Sequence, residues 1–184
     1  LALGFSGLWG ETLAFAPARF VLDLNDEFVF QPAASNVSTT AGGCIDFQLR
    51  SERVGVRGEF WMGQAAGTYF VAVLQTLNPE TGDGIRSIGG WGEVYYKLNN
   101  CTTIYVGYGI DDPRNQDVGF LTTGPDPNDP GQRTLNQVAW GNIQWVVTDF
   151  FQLGFEVSHR KTHYFNPLVS DQGWLFHFAS TLKY

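Results

Sequence analysis

GGWGEVYYKLNNCTTIYVGYGIDDPRNQD, residues 89–117, is the stretch whose reading decides the fold. Counting by twos from Gly92 gives Val94, Tyr96 and Leu98; beyond Asn99 and Asn100 the same count gives Ile104, Val106, Tyr108 and Ile110. The alternate positions are Trp91, Glu93, Tyr95 and Lys97, then Thr103, Tyr105, Gly107 and Gly109. Period-two alternation on both sides of a turn-forming Asn-Asn pair predicts a β-hairpin with one apolar face and one mixed polar face. Such a hairpin belongs either to a half-buried sheet of a soluble sandwich or to a membrane barrel with lipid outside and water inside.

Composition narrows the choice. Of 184 residues only 16% are charged, against roughly 25% in an average soluble domain, while 15% are aromatic and 22 are glycine. The net charge of −7 argues against a nucleic-acid partner, which calls for a basic footprint. No apolar run is long enough for a transmembrane helix, but barrel strands are shorter and alternate, so they escape that test. The sequence opens at Leu1 inside a regular segment with neither a Met nor a signal peptide, and it is expected to be processed or partial. Cys44 and Cys101 permit one disulfide without requiring it.

Outward from the hairpin, the same pattern returns. Leu1, Leu3, Phe5 and Trp9 alternate with small residues; Ile45, Phe47 and Leu49 with Asp46, Gln48 and Arg50; Val54, Val56, Phe60 and Met62 with Arg53, Arg57, Glu59 and Trp61. Later, Ile143, Trp145 and Val147 oppose Asn142 and Gln144, although Val138 and Trp140 fall on the polar side. Phe151, Leu153, Phe155 and Val157 oppose Gln152, Gly154, Glu156 and Ser158, and Trp174, Phe176, Phe178, Leu182 and Tyr184 oppose His177, Ala179, Thr181 and Lys183. Long connections are expected at about residues 11–43, 63–87, 111–133 and 163–172, the first with short apolar pieces at 19–24 and 27–30. Short turns are expected at Ser51 and Glu52, at Asn99 and Asn100, and at Thr148 and Asp149.

Those connections alternate short and long, as in outer-membrane barrels with short periplasmic turns and long outer loops. Eight strands then close the parity, with the last one ending in the periplasm. Charges recur on one face of nearly every strand, and burying them unpaired in a sandwich costs several kcal/mol each. The expected fold is therefore all-β: an antiparallel transmembrane β-barrel with about eight strands in this chain, which forms a single domain over residues 1–184. A secreted β-sandwich whose polar face is simply solvated accounts for the alternation equally well, but less well for aromatics near the strand ends.

The segments GGWGEVYYKLNN, YVGYGIDDPRNQD and LNQVAWGNIQWVVTDFFQLGFEVSHRKTHY resemble the C-terminal part of planctomycete-type outer-membrane porins, similar in style to the DcaP-like trimeric porins. The resemblance covers about residues 40–184, most specifically GYGIDDP and GFEVS. It implies a bacterial outer-membrane location, a longer barrel of which this chain is the C-terminal part, and a homotrimer. The aromatic end at Tyr184 resembles a barrel recognition signal, which more commonly ends in Phe.

Arg50, Arg53, Arg57, Glu59, Glu93, Lys97, Glu156, Arg160 and Lys183 are the expected pore-lining residues. Charged rings in a pore set ion preference, and the arginines predict a positive wall favouring small anionic solutes. An equally weighted reading has Arg57, Glu59 and Glu93 pairing across adjacent strands, worth about 0–1 kcal/mol each. Asp111, Asp112 and Asp117, with Asp126 and Asp129, are weak metal candidates; they lack EF-hand spacing and suit a solvated loop better. Divalent ions there would bridge to lipopolysaccharide, the expected lipid partner. His159 and His163 are about 13 Å apart on a strand and cannot share zinc. No nucleophile elbow, phosphate loop or paired-Cys site is present, so neither enzyme activity nor a cofactor is expected. The functional expectation is a porin passing small hydrophilic solutes; the alternative is a secreted carbohydrate-binding or adhesive module, with Trp91, Tyr95 and Tyr105 stacking on sugars. The piece 69–77 is apolar enough for a strand or a short helix, with an inward constriction or plug as one outcome.

Overall fold

The computed structural model describes residues 1–16, 19–22, 28–31, 34–67, 72, 75–120 and 129–183. Ten strands follow in order: β1 (Ala2–Ala16), β2 (Arg19–Leu22), β3 (Phe28–Gln31), β4 (Ala34–Arg50), β5 (Val54–Gln64), β6 (Arg86–Lys97), β7 (Thr102–Pro113), β8 (Arg133–Thr148), β9 (Phe151–Tyr164) and β10 (Ser170–Leu182). Eight of them form one antiparallel sheet in the order β1-β4-β5-β6-β7-β8-β9-β10, and β2 pairs with β3 in a separate hairpin. Each strand of the large sheet joins its neighbour in sequence, a meander broken only by the β2–β3 excursion. The sheet is open, with β1 and β10 at its edges.

Short turns link the strands at one end. Ser51 Oγ accepts from Val54 N at 3.2 Å, and Asn99 Oδ1 accepts from the amides of Cys101 and Thr102, both at 2.8 Å. An Asn side chain that mimics a backbone turn is why Asn99 closes β6 onto β7. At the other end the long connections pack on each other. Ala72, Ile85 and Val118 form a small buried cluster; Gln132 donates to Leu77 O at 3.0 Å, and Asn78 donates to Asp117 O at 3.1 Å.

The first expected loop, 11–43, is corrected: β1 runs on to Ala16 and β4 begins at Ala34, with β2 and β3 between them. Ser, Thr, Ala and Asn in 34–41 carry weak local strand signal, yet register opposite β1, for example Leu13 with Val37 and Thr12 with Ser38, holds them extended. β2 and β3 fall on the short apolar pieces at 19–24 and 27–30. The other long connections end within a few residues of expectation.

Register assigns the faces, because cross-strand partners share a face. One row runs Phe47, Gly58, Gly92, Tyr108, Ala139, His159, Trp174. Its neighbours carry Val56, Val94, Val106, Val157 and Phe176 on one side, and Phe5, Ile45, Phe60 and Ile110 on the other. This apolar face is bare: Trp9 is 80% exposed, Phe178 72% and Val106 65%. On the opposite face Glu93 is 5% exposed and Ser158 2%. The polarity of a water-soluble sheet is inverted.

Candidate functional site

The polar face is built in rows two residues apart along the strands, about 7 Å per step. From the long-loop end, one row holds Ser6, Cys44, Trp61, Gly89, Asp111, Asn136, Thr162 and Asp171. The next holds Gly4, Asp46, Glu59, Trp91, Gly109, Val138 and Arg160, and the one after it Gln48, Arg57, Glu93, Gly107, Trp140, Ser158 and Leu175. Nearest the short turns come Arg50, Gly55, Tyr95, Tyr105, Asn142, Glu156 and His177.

Glycines opposite aromatics give this face its relief. A Cβ on Gly55 would lie 2.1 Å from Tyr95, one on Gly107 2.2 Å from Trp140, and one on Gly89 2.6 Å from Trp61. Each ring lies across its cross-strand glycine, where any larger residue would lift it. Tyr95 and Tyr105 approach to 5.7 Å between centroids and Trp91 and Trp140 to 6.4 Å. The indole donors reach carboxylates: Trp140 Nε1 to Glu93 Oε2 at 2.9 Å, and Trp91 Nε1 to Glu59 Oε2 at 3.3 Å. Trp140 breaks the apolar alternation for this reason; its ring pairs with a glycine and its nitrogen with an acid.

Of the charges singled out in the sequence, Arg57 and Glu93 meet, with Nη2 2.7 Å and Nε 2.8 Å from Glu93 Oε1. Arg57 also lies over the Tyr105 ring, 5.7 Å from its centroid. Glu59 shares the row of Arg160, with Trp91, Gly109 and Val138 between them. Glu156 faces His177 at 3.6 Å. Arg50 donates to Gln48 at 2.7 Å. Arg53 lies in the turn before β5 and Lys183 follows β10; with Arg50 and Lys97 they collect at the short-turn end. The arginines are thus spread out, and Arg57 is neutralised by Glu93.

Asp111 and Asp112 are not loop residues: both close β7. Being consecutive on a strand they point to opposite faces, so they do not converge on one ion. Asp111 is buried and accepts from Ser87 Oγ at 2.7 Å and from Ala72 N at 3.0 Å. Asp117 takes a two-point contact from Arg86, 2.6 Å at both oxygens, and this guanidinium holds its carboxyl below the usual aspartate range. No metal-binding cluster occurs among the described residues. Asp126, most of the 69–77 piece and Tyr184 lie outside them.

Cys44 and Cys101 are both free thiols. Cys44 stands well inside the extended β4, not at a strand end, and touches Ser6 Oγ at 3.4 Å and Glu59 Oε1 at 3.1 Å. His159 pairs in register with Trp174, and their rings meet tilted at 51° with centroids 4.8 Å apart.

The sequence left an inward fold of the connection between β5 and β6 as one outcome, without naming the residues that anchor it. Thr40 Oγ1 donates to Ala65 O at 3.3 Å, and Ala72 N reaches Asp111. Both anchors are polar-face residues, so Ala65 and Ala72 lie against that face at its long-loop end. Ala65 and Ala72 take positive φ, 53° and 47°, a geometry with no clear signature in an alanine. No family, characterised protein or solved structure matches the chain.

Proposed function

We propose that the chain forms the wall of an outer-membrane β-barrel porin, through which small hydrophilic solutes diffuse passively with a weak bias toward anions. The inverted polarity of the sheet carries this reading. Each fully exposed Leu, Phe or Trp forgoes about 1.5–3 kcal/mol of burial, and such residues fill the apolar face of every strand in the large sheet. Lipid restores that term. The apolar runs fit as well: Val54 to Met62 on β5, Ile88 to Tyr96 on β6 and Trp174 to Leu182 on β10 are each roughly nine residues, near the 9–11 that a tilted strand needs to cross hydrocarbon.

The polar face suits a water-filled lumen. Asp46, Arg50, Gln144, Arg160 and His177 belong to it and are exposed, and water satisfies polar groups that a dry core would leave costly. The described part of the β5–β6 connection, Ala65, Ala72 and residues 75–85 among it, narrows that lumen as a constriction. The anion bias comes from the basic short-turn end, where Arg50, Arg53, Lys97 and Lys183 gather. The exposed acidic side chains Glu80 and Asp83 at the other end face lipopolysaccharide, and the assembly is a homotrimer.

The test is single-channel recording of natively extracted protein in a planar bilayer. Expected are a need for detergent, stepwise conductance, and a reversal potential biased to anions that falls when Arg50 and Lys97 become Gln. Protein that is soluble without detergent and silent in the bilayer would contradict the reading.

A further inference from the structure

We infer that the polar face of the sheet is a track for uncharged oligosaccharides, a substrate class that rests on the porin reading above. The rings are not scattered. Trp61, Trp91 and Trp140 occupy three successive rows, and Tyr95 and Tyr105 the fourth, so one aromatic surface follows another at about 7 Å intervals along the strands. Together they descend from the covered long-loop end toward the short turns.

Three features select sugars over other solutes. First, Trp61, Tyr95 and Trp140 lie across glycines instead of standing off the sheet, and Trp91 and Tyr105 are part-exposed beside them, so π-surface borders whatever moves along it. Pyranose C–H faces pack on such surfaces, and so do other flat solutes. Second, the hydrogen-bonding groups between the rings are of both kinds. Asn142 donates to Glu156 at 3.4 Å and Tyr105 to Gln144 at 3.2 Å, so amide, hydroxyl and carboxylate groups stand together beside the lowest rings. A hydroxyl, which donates and accepts, matches that mixture; a carboxylate or phosphate, which only accepts, does not. Third, the central charges are spent. Arg57 is bound by Glu93, and Glu93 and Glu59 are held by indole donors, so the charges beside the rings are engaged and Arg160, at the β9 end of the Trp91 row, is the cation of the middle rows outside this pairing. An aromatic hydrocarbon would use the rings but waste the polar groups.

The experiment records ion current through the full-length protein in a planar bilayer while a glucose trisaccharide is added, with a size-matched polyethylene glycol as control. The same protein in detergent is titrated with the trisaccharide by tryptophan fluorescence. Expected are current blockades and a saturable fluorescence change with the sugar and neither with the glycol. Trp91→Leu should weaken both about tenfold, and Trp91→Phe should recover most of the loss. Ion current without blockade or fluorescence response overturns the sugar track and leaves the porin standing. Fluorescence titration without any current overturns the porin and supports the track. Equal effects of sugar and glycol, or no effect of Trp91→Leu, also overturn it.

Discussion

Arg57 and Glu93 form an ion pair whose halves are not equivalent. The Glu93 side chain is 5% exposed and the Arg57 side chain 43%, so removing the arginine strands a buried carboxylate, whereas removing the acid returns a half-solvated guanidinium to water. Arg57→Met is expected to destabilise by about 2–3 kcal/mol and Glu93→Gln by about 1 kcal/mol or less, read from urea midpoints of the folded protein in detergent. Equal losses would mean that the pair is worth only its surface value. The pairing itself was one of two readings open in the sequence, since period two places both residues on one face without fixing register. Asp117 offers a second test. Its folded pKa lies below the ordinary aspartate value, so the ionised contact with Arg86 adds stability above that ordinary value. This stability is lost as pH falls through the depressed one. Proteolysis within 114–119 should therefore accelerate on acidification below the ordinary carboxylate range, and Asp117→Asn should show fast cleavage already at neutral pH. A pH-independent rate in the parent protein would contradict the assignment.

At the scale of strands, glycine is the residue that alternation does not explain and register does. Gly107 sits under Trp140, whereas Gly92, on the apolar face, has nothing within 4 Å of its missing Cβ. Gly107→Ala should destabilise by about 1–3 kcal/mol through overpacking, while Gly92→Ala should be neutral or slightly stabilising; equal effects on thermal unfolding would contradict the ring-on-glycine arrangement. Strand positions and short turns were legible because alternation and turn chemistry are local. The extension of β1 and β4 was not, because Ser, Thr and Ala between 34 and 41 become a strand only through their partners. The contact of Ala72 with Asp111 belongs to an inward fold that was legible only as one outcome among several. Asp111→Ala removes that anchor and is expected to raise single-channel conductance; an unchanged conductance would mean that this segment does not narrow the path.

For the molecule as a whole, the open edges of β1 and β10 set a condition on the proposed activity. A barrel of about eight strands has an interior that side chains fill, and an aqueous channel needs about sixteen. Conduction therefore calls for further strands between those two edges, not for β1 pairing with β10. The charge pattern was visible in the sequence, but not the separation that register gives it, with bases at the short-turn end and Arg57 neutralised in the middle. The central claim is that the even-numbered face of the 104–108 strand meets lipid and its odd-numbered face water. Spin labels placed singly at Thr103, Ile104, Tyr105, Val106 and Tyr108, with Cys44 and Cys101 replaced by Ser, read this in a reconstituted bilayer through collision with oxygen and with a water-soluble nickel complex. The account predicts a period of two: oxygen reaches Ile104, Val106 and Tyr108, and nickel reaches Thr103 and Tyr105. Nickel access at Val106, or no alternation along the strand, would contradict it.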